Sequence, residues 1–170
     1  MEKNPVIELR NVAVFHSAKP GSSNPKKRGE MVVSGVNLTV CEGEMVYFIG
    51  KVGSGKSSLI KTLYAEVPLV EGEGRIVGFD LRRMKRRDIS RLRRSIGIVF
   101  QDYQLLSDRD VFGNLHYVMK ATGWKNETDM RKRIEEVLSV VGLENKAFKM
   151  PFELSGGQQQ RLAVPRALVN

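Results

Sequence analysis

Gly50-Lys51-Val52-Gly53-Ser54-Gly55-Lys56-Ser57 fits the pattern G-x-x-x-x-G-K-[S/T] at every fixed position. Its flanks fit as well. Met45-Val46-Tyr47-Phe48-Ile49 is a continuous apolar run leading into it, which predicts a strand buried on both faces. A helix is predicted to leave it, from Lys56 to about Tyr64, before Pro68. Strand, glycine-rich loop and helix in that order make a cradle for phosphate. Successive backbone N–H groups turn inward toward the anion, and glycine permits the backbone angles this requires. The helix adds the positive end of its dipole. The candidate nucleotide-binding residues are therefore Gly50, Lys51, Val52, Gly53, Ser54, Gly55, Lys56, Ser57 and Ser58. Lys56 is placed to reach the β- and γ-phosphates, and the Ser57 hydroxyl to coordinate Mg²⁺.

Upstream, residues 6–15 are rich in β-branched and apolar side chains and predict a strand. Residues 17–29 carry two Pro, two Gly, several Ser and Lys26-Lys27-Arg28, the composition of a flexible loop. Strand patterning resumes over 31–40, where Val36, Leu38 and Val40 share a face, and Glu42-Gly43-Glu44 makes a turn. Downstream, Gly72, Gly74 and Gly78 break the chain around a short strand at 75–77, and a helix is predicted near 85–94. Ser95–Phe100 is a second buried-strand candidate. Val111, Phe112, Leu115, Val118 and Met119 recur at helical spacing, as do Ile134, Val137, Leu138 and Val141, so two core-facing helices are expected.

A second motif narrows the reading. Leu154-Ser155-Gly156-Gly157-Gln158 opens another helical stretch, and the amides of Gly156 and Gly157 behind Ser155 form a second anion site at a helix start. Ser155, Gly156, Gly157 and Gln158, about a hundred residues after the first loop, resemble the signature of ATP-binding cassette (ABC) ATPases. The resemblance implies an α/β fold: a P-loop NTPase of the ABC type, here incomplete, with an N-terminal antiparallel β subdomain and a helical subdomain over 102–155. Residues 1–170 then form a single partial ATP-binding domain. It also implies ATP and Mg²⁺ as cofactors. Val99-Phe100-Gln101-Asp102 resembles the family's Q-loop, which puts Gln101 beside Ser57 at the metal and makes Lys56 and Gln101 the catalytic residues present. An aromatic near the end of the first strand stacks on adenine in this family. Phe15 and His16 both lie near that position, and Phe15 offers the larger apolar face.

Within the family, Tyr47–Tyr64, Gly97–Leu106 and Ala121-Thr122-Gly123-Trp124 are similar to the FtsE group of cell-division ATP-binding proteins, with Lys51 and the Ala-Thr-Gly-Trp segment in versions like those of Bacteroidetes. Exporters of lipoproteins and macrolides share much of the pattern. The resemblance implies a homodimer that encloses ATP between the P-loop of one protomer and the signature of the other. It implies an FtsX-like integral membrane subunit as partner, and a cytoplasmic location at the inner face of the membrane. In this family a buried strand ending in Asp-Glu follows the signature helix and supplies the general base. No such run occurs in these 170 residues, so the chain reads as truncated before it and inactive alone, an ATP-holding scaffold in this form. Pro165 sits where the family has a small helix former, and is expected to kink the helix or end it early.

Composition sets the outer bounds. Hydrophobic residues make up 41% and charged residues 28%, ordinary globular usage. No apolar stretch is long enough to cross a bilayer, and Met1–Pro5 shows no secretory signal. The single Cys41 forms no internal disulfide. The net charge of +9 is concentrated: residues 82–94 hold eight Lys or Arg against one acid, Asp88. Such a run suits a solvated helix face or an anionic membrane surface. It contains no aromatic, which argues against nucleic acid as a partner.

Overall fold

The computed structural model describes residues 4–16 and 29–169, so the flexible loop expected at 17–29 lies outside the described residues except for Gly29. The chain divides between Ser95 and Ile96 into two units.

The strands of the first unit are Pro5–His16 (β1), Glu30–Cys41 (β2), Glu71–Ile76 (β3) and Phe79–Asp80 (β4). They form an antiparallel sheet in the order β2-β1-β3-β4. β1 is central, and four consecutive residues, Val12, Ala13, Val14 and Phe15, are buried. Side chains alternate between faces along a strand, so consecutive burial means that both faces are covered. In β2, Val36, Leu38 and Val40 are the more buried positions between exposed Asn37 and Thr39, as the period of two requires. Helix α1 (Lys56–Leu63) packs against β1 and buries Leu59 and Leu63. Gly72 lies where β3 crosses the bulge in β1. Its φ is +86°, and a Cβ there would stand 2.4 Å from the Asn11 carbonyl oxygen, so only glycine fits. Helix α2 (Arg86–Arg94) buries Leu92 and presents its arginines outward.

The second unit is helical. Its helices are Val111–Thr122 (α3), Glu127–Val140 (α4) and Gly156–Leu168 (α5), joined by short 3-10 turns at Glu144–Lys146 and Pro151–Glu153. Each helix begins with a side-chain cap. Asp110 accepts from Gly113 N–H at 2.6 Å, Asn126 from Thr128 N–H at 2.9 Å, and Ser155 from Gln158 N–H at 3.3 Å. Val111, Leu115 and Met119 of α3 meet Met130, Ile134 and Leu138 of α4 and Leu162 of α5 in one core. Both predicted stripes therefore face inward.

Three expectations are corrected. Residues 45–49 and 95–100 are not strands: among the described residues neither run has a paired neighbour. A strand buried on both faces needs hydrogen-bonded neighbours at its edges, and β-propensity alone does not hold one. Met45, Tyr47 and Ile49 are exposed, Ile49 at 93%. The glycine-broken stretch carries a longer strand than expected, because β3 runs through Gly72 and Gly74 while β1 supplies its backbone partners. Finally, of the two outcomes expected at Pro165, the early end does not occur: α5 continues to Leu168. Pro165 is buried and its carbonyl accepts from Val169 N–H at 2.8 Å. The carbonyl of Pro165 thus continues the helix ladder, while the bond from its missing N–H to the Arg161 carbonyl is lost.

Candidate functional site

The loop at 50–57 is a tight turn over the start of α1. Ser54 N–H donates to the Lys51 carbonyl at 3.2 Å. Gly53 and Gly55 take φ of +82° and +87°. Gly55 is held twice, since a Cβ there would also lie 2.9 Å from Val32 Cγ1 on β2. It is the N-cap of α1, in left-handed conformation, and no side chain caps the helix. The first-turn N–H groups of Lys56, Ser57 and Ser58 have no acceptor within the helix itself. They are the natural partners of an anion.

Lys56 closes the cradle. Its Nζ donates to the carbonyls of Gly50 and Lys51, each at 2.8 Å, and to Ser54 Oγ at 3.4 Å. The ammonium is thereby fixed inside the loop. Ser57 is exposed at the helix start with its hydroxyl free to face a metal, whereas Ser58 is buried. A hydroxyl beside uncapped amides and a fixed ammonium suits a triphosphate with magnesium. Here His16, Val32 and Gly53–Ser58 line a cleft of about 150 Å³, room for phosphate groups.

The two aromatic candidates separate at this cleft. Phe15 is buried in the sheet at 8% exposure, while His16, one residue later on the opposite face of β1, is exposed and lines the cleft. Among the described residues lining it there is no Asp or Glu.

In the second unit, Gln101 is exposed at the start of a turn. Tyr103 N–H donates to the Phe100 carbonyl at 3.1 Å, and Gln104 N–H to that of Asp102 at 2.6 Å. The signature residues form the exposed N-terminus of α5. Ser155 N–H donates to Gln158 Oε1 at 2.9 Å, completing a reciprocal cap. Gly156 and Gly157 are open to solvent, with nothing near where a side chain would stand. Just before them, Lys149 and then the Met150 N–H hold the Glu153 carboxyl below the usual carboxylate range.

Three residues of this unit escape a motif reading. Gln159 donates from Nε2 to the carbonyls of Pro151 and Leu154, at 3.0 and 3.2 Å, and so ties down the approach to the signature. Asn114 is fully buried. It accepts from Leu106 N–H at 2.8 Å and donates to the carbonyls of Leu106, Arg109 and Asp110. A lone Asn on the Val111–Leu115 face of an apolar stripe is the sequence signal that could have found it. Arg166 donates from Nη1 to the carbonyls of Tyr103, at 3.1 Å, and Gln104. Burial pulls its guanidinium below the ordinary arginine range.

Residues 33–170 match the family model of the ABC transporter. The cell division ATP-binding protein FtsE of Streptococcus pneumoniae (strain D39) is 44% identical over 165 residues, 97% of this chain and 67% of that protein. The methionine import ATP-binding protein MetN of Carboxydothermus hydrogenoformans is 40% identical over 144 residues, 85% of this chain and 42% of that protein. The solved dimeric bacterial ABC transporter cassette MJ0796 gives a TM-score of 0.80 at 32% identity, over 96% of this chain and 69% of that one. A post-hydrolysis state of that cassette, bound to ADP and Pi, gives 0.78. The chain thus spans about two thirds of the FtsE relative and of the cassette, and less than half of the MetN relative.

Proposed function

The chain belongs to the ABC transporter family, and from that premise we propose that it is the ATP-binding part of an FtsE-like subunit, which works with an FtsX-like membrane protein in cell division. The observation that carries nucleotide binding is the Lys56 ammonium fixed by the Gly50 and Lys51 carbonyls, beside the uncapped start of α1. The FtsE reading is supported by 44% identity over 97% of the chain. The MetN match at 40% supports a second reading, the ATP-binding subunit of an importer.

On this proposal the loop amides and Lys56 would hold the β- and γ-phosphates, the Ser57 hydroxyl would hold Mg²⁺, and Gln101 would help place metal and water. Magnesium, when bound, supplies neutralisation of phosphate charge. His16, and not Phe15, lies against the base. Two protomers enclose ATP, each offering Ser155, Gly156, Gly157 and Gln158 to the other's loop. Among the described residues no helix is long and apolar enough to cross a membrane. Attachment at the inner membrane face is proposed to run through the FtsX-like partner.

The polypeptide of these 170 residues, prepared alone, binds Mg-ATP without turning it over. Water activation needs a carboxylate beside the γ-phosphate, and among the described residues the cleft lining offers none. Calorimetry with Mg-ATP should show binding that Lys56→Ala weakens strongly; equal affinity sinks the assignment. Turnover clearly above the Lys56→Ala background would show that a carboxylate within these residues supplies the base. Co-purification of the complete gene product with the FtsX-type or the importer-type membrane protein of the same genome separates the two readings.

A further inference from the structure

We infer that Arg166 is a positioning residue that ties the turn carrying Gln101 to the helix that opens at the signature, an inference resting on the assignment of Gln101 to the metal and water position.

The turn is gripped from one place on α5. Its far side is held by the guanidinium of Arg166, which donates to the carbonyls of Tyr103, at 3.1 Å, and Gln104. Its near side lies against the next residue of the same helix. A Cβ on Gly97 would stand 2.6 Å from the Ala167 carbonyl oxygen, so the chain entering the turn touches the last turn of α5 directly. Gln101 therefore sits on a short bow with both ends fastened to consecutive residues of one helix.

The bow needs fastening. Tyr103 and Gln104 have φ of +55° and +46°, in the left-handed region that side chains with a Cβ disfavour. Such a conformation persists where its surroundings impose it. A charge-assisted bond from a half-buried guanidinium to those two carbonyls is such an imposition. Beyond the turn, Asn114 clamps Leu106 through both its N–H and its carbonyl, which anchors the continuation to α3.

The opposite end of α5 is Ser155, the signature cap. Between the two ends, Leu162, Ala163 and Pro165 are buried. The C-terminal half of the helix is thus packed, and Gln159 ties its N-terminal half to the carbonyls of Pro151 and Leu154, so a displacement at the Gln101 turn is passed along one continuous helix to the signature. The connection is read in a single side chain, which makes it separable from the fold.

The test uses the complete gene product with Arg166→Ala and Arg166→Lys. Both bonds leave the single nitrogen Nη1, so lysine, which keeps the charge on a compact and more strongly hydrated ammonium, should restore them in part, and it serves where the alanine variant does not fold. Amide hydrogen exchange without nucleotide should quicken about tenfold at Tyr103–Leu106 on loss of a charged hydrogen bond, with Leu115, Ile134 and Leu138 unchanged. Equal quickening throughout the helical unit would reduce Arg166 to general support and overturn the inference. The magnesium dependence of ATP hydrolysis is the second readout. Arg166→Ala should weaken apparent magnesium affinity about tenfold, as Gln101→Ala does, with metal-free nucleotide affinity unchanged. A shift in Gln101→Ala without one in Arg166→Ala would also overturn the inference. No shift in Gln101→Ala would defeat the Gln101 assignment instead, leaving hydrogen exchange to decide on Arg166.

Discussion

His16 and Phe15 show how much turns on one residue along a strand. Adjacent side chains point to opposite faces, so an offset of one exchanges cleft for core. Phe15 is the more apolar candidate, and that is why the sheet takes it in. His16→Ala should weaken ATP binding roughly fivefold, the order of a stacking contact, while inorganic triphosphate binding stays the same. Phe15→Ala should instead cost about 3 kcal/mol of stability and leave nucleotide affinity per folded molecule intact. Titration of ATP and triphosphate, beside denaturant unfolding, reads both; the reverse pattern would restore Phe15 to the base. At this scale the sequence was most legible where backbone chemistry dictates residue type. Gly55 opens α1 in the left-handed conformation and Lys56 reaches back to the loop carbonyls, an arrangement suited to the phosphate cradle proposed there. Arg166 was not legible, because its partners are main-chain carbonyls with no residue type to recognise; Asn114 could be found as a lone polar residue in an apolar stripe, but its main-chain partners could not.

Among the elements, α3 and α4 were plain from their stripes, and α1 from its place after the loop. β4 was not, since two residues carry no period. Helix α5 contradicts a local rule by running through Pro165. Pro165→Ala restores an N–H for the Arg161 carbonyl and should raise stability by about 1–3 kcal/mol, seen as a higher denaturant midpoint. An unchanged or lower midpoint would mean that the ring's packing outweighs the missing bond. The end of α1 carries a pH dependence. Burial, and then a 2.9 Å hydrogen bond from its hydroxyl to the Glu66 carboxylate, push the Tyr64 phenol up to about 12, with Arg93 opposing. The folded state holds this proton more tightly than the unfolded chain, whose tyrosines titrate near 10. The stabilisation is complete below pH ~10 and is lost as pH rises toward ~12. Tyr64→Phe should flatten that part of the unfolding free-energy profile. A wild-type profile as flat as the variant's would show that Tyr64 ionises as easily folded as unfolded.

At the scale of the molecule, the two runs at 45–49 and 95–100 had the strand's composition but could not show whether a neighbour pairs with them, since pairing is a property of the rest of the sheet. Charge is the other property that one element cannot decide. Of the net +9, the stretch 82–94 holds most, and folding neither buries nor neutralises it. Arg93 is engaged with the protein, donating to the Tyr64 and Ala65 carbonyls at 3.0 and 3.3 Å. Arg83 and Arg87 make only loose pairs with Asp80 and Asp88, at 3.7 and 3.9 Å. Lys85, Arg86 and Arg91 stand exposed with them, while Leu92 turns inward and fixes which side of α2 faces out. Each such cation near an anionic bilayer contributes about 1 kcal/mol, so five together suffice for binding that no single one provides. We propose that this side of α2 rests on anionic headgroups beside the membrane partner. Sedimentation with vesicles should show binding to anionic and not to neutral lipid at low salt. Binding should weaken at 1 M salt, where screening confines charge interactions to about 3 Å, and Arg86→Glu with Arg91→Glu should remove it. Binding indifferent to lipid charge, or kept by the double variant, would leave α2 a solvated helix, with the basic run serving solubility alone.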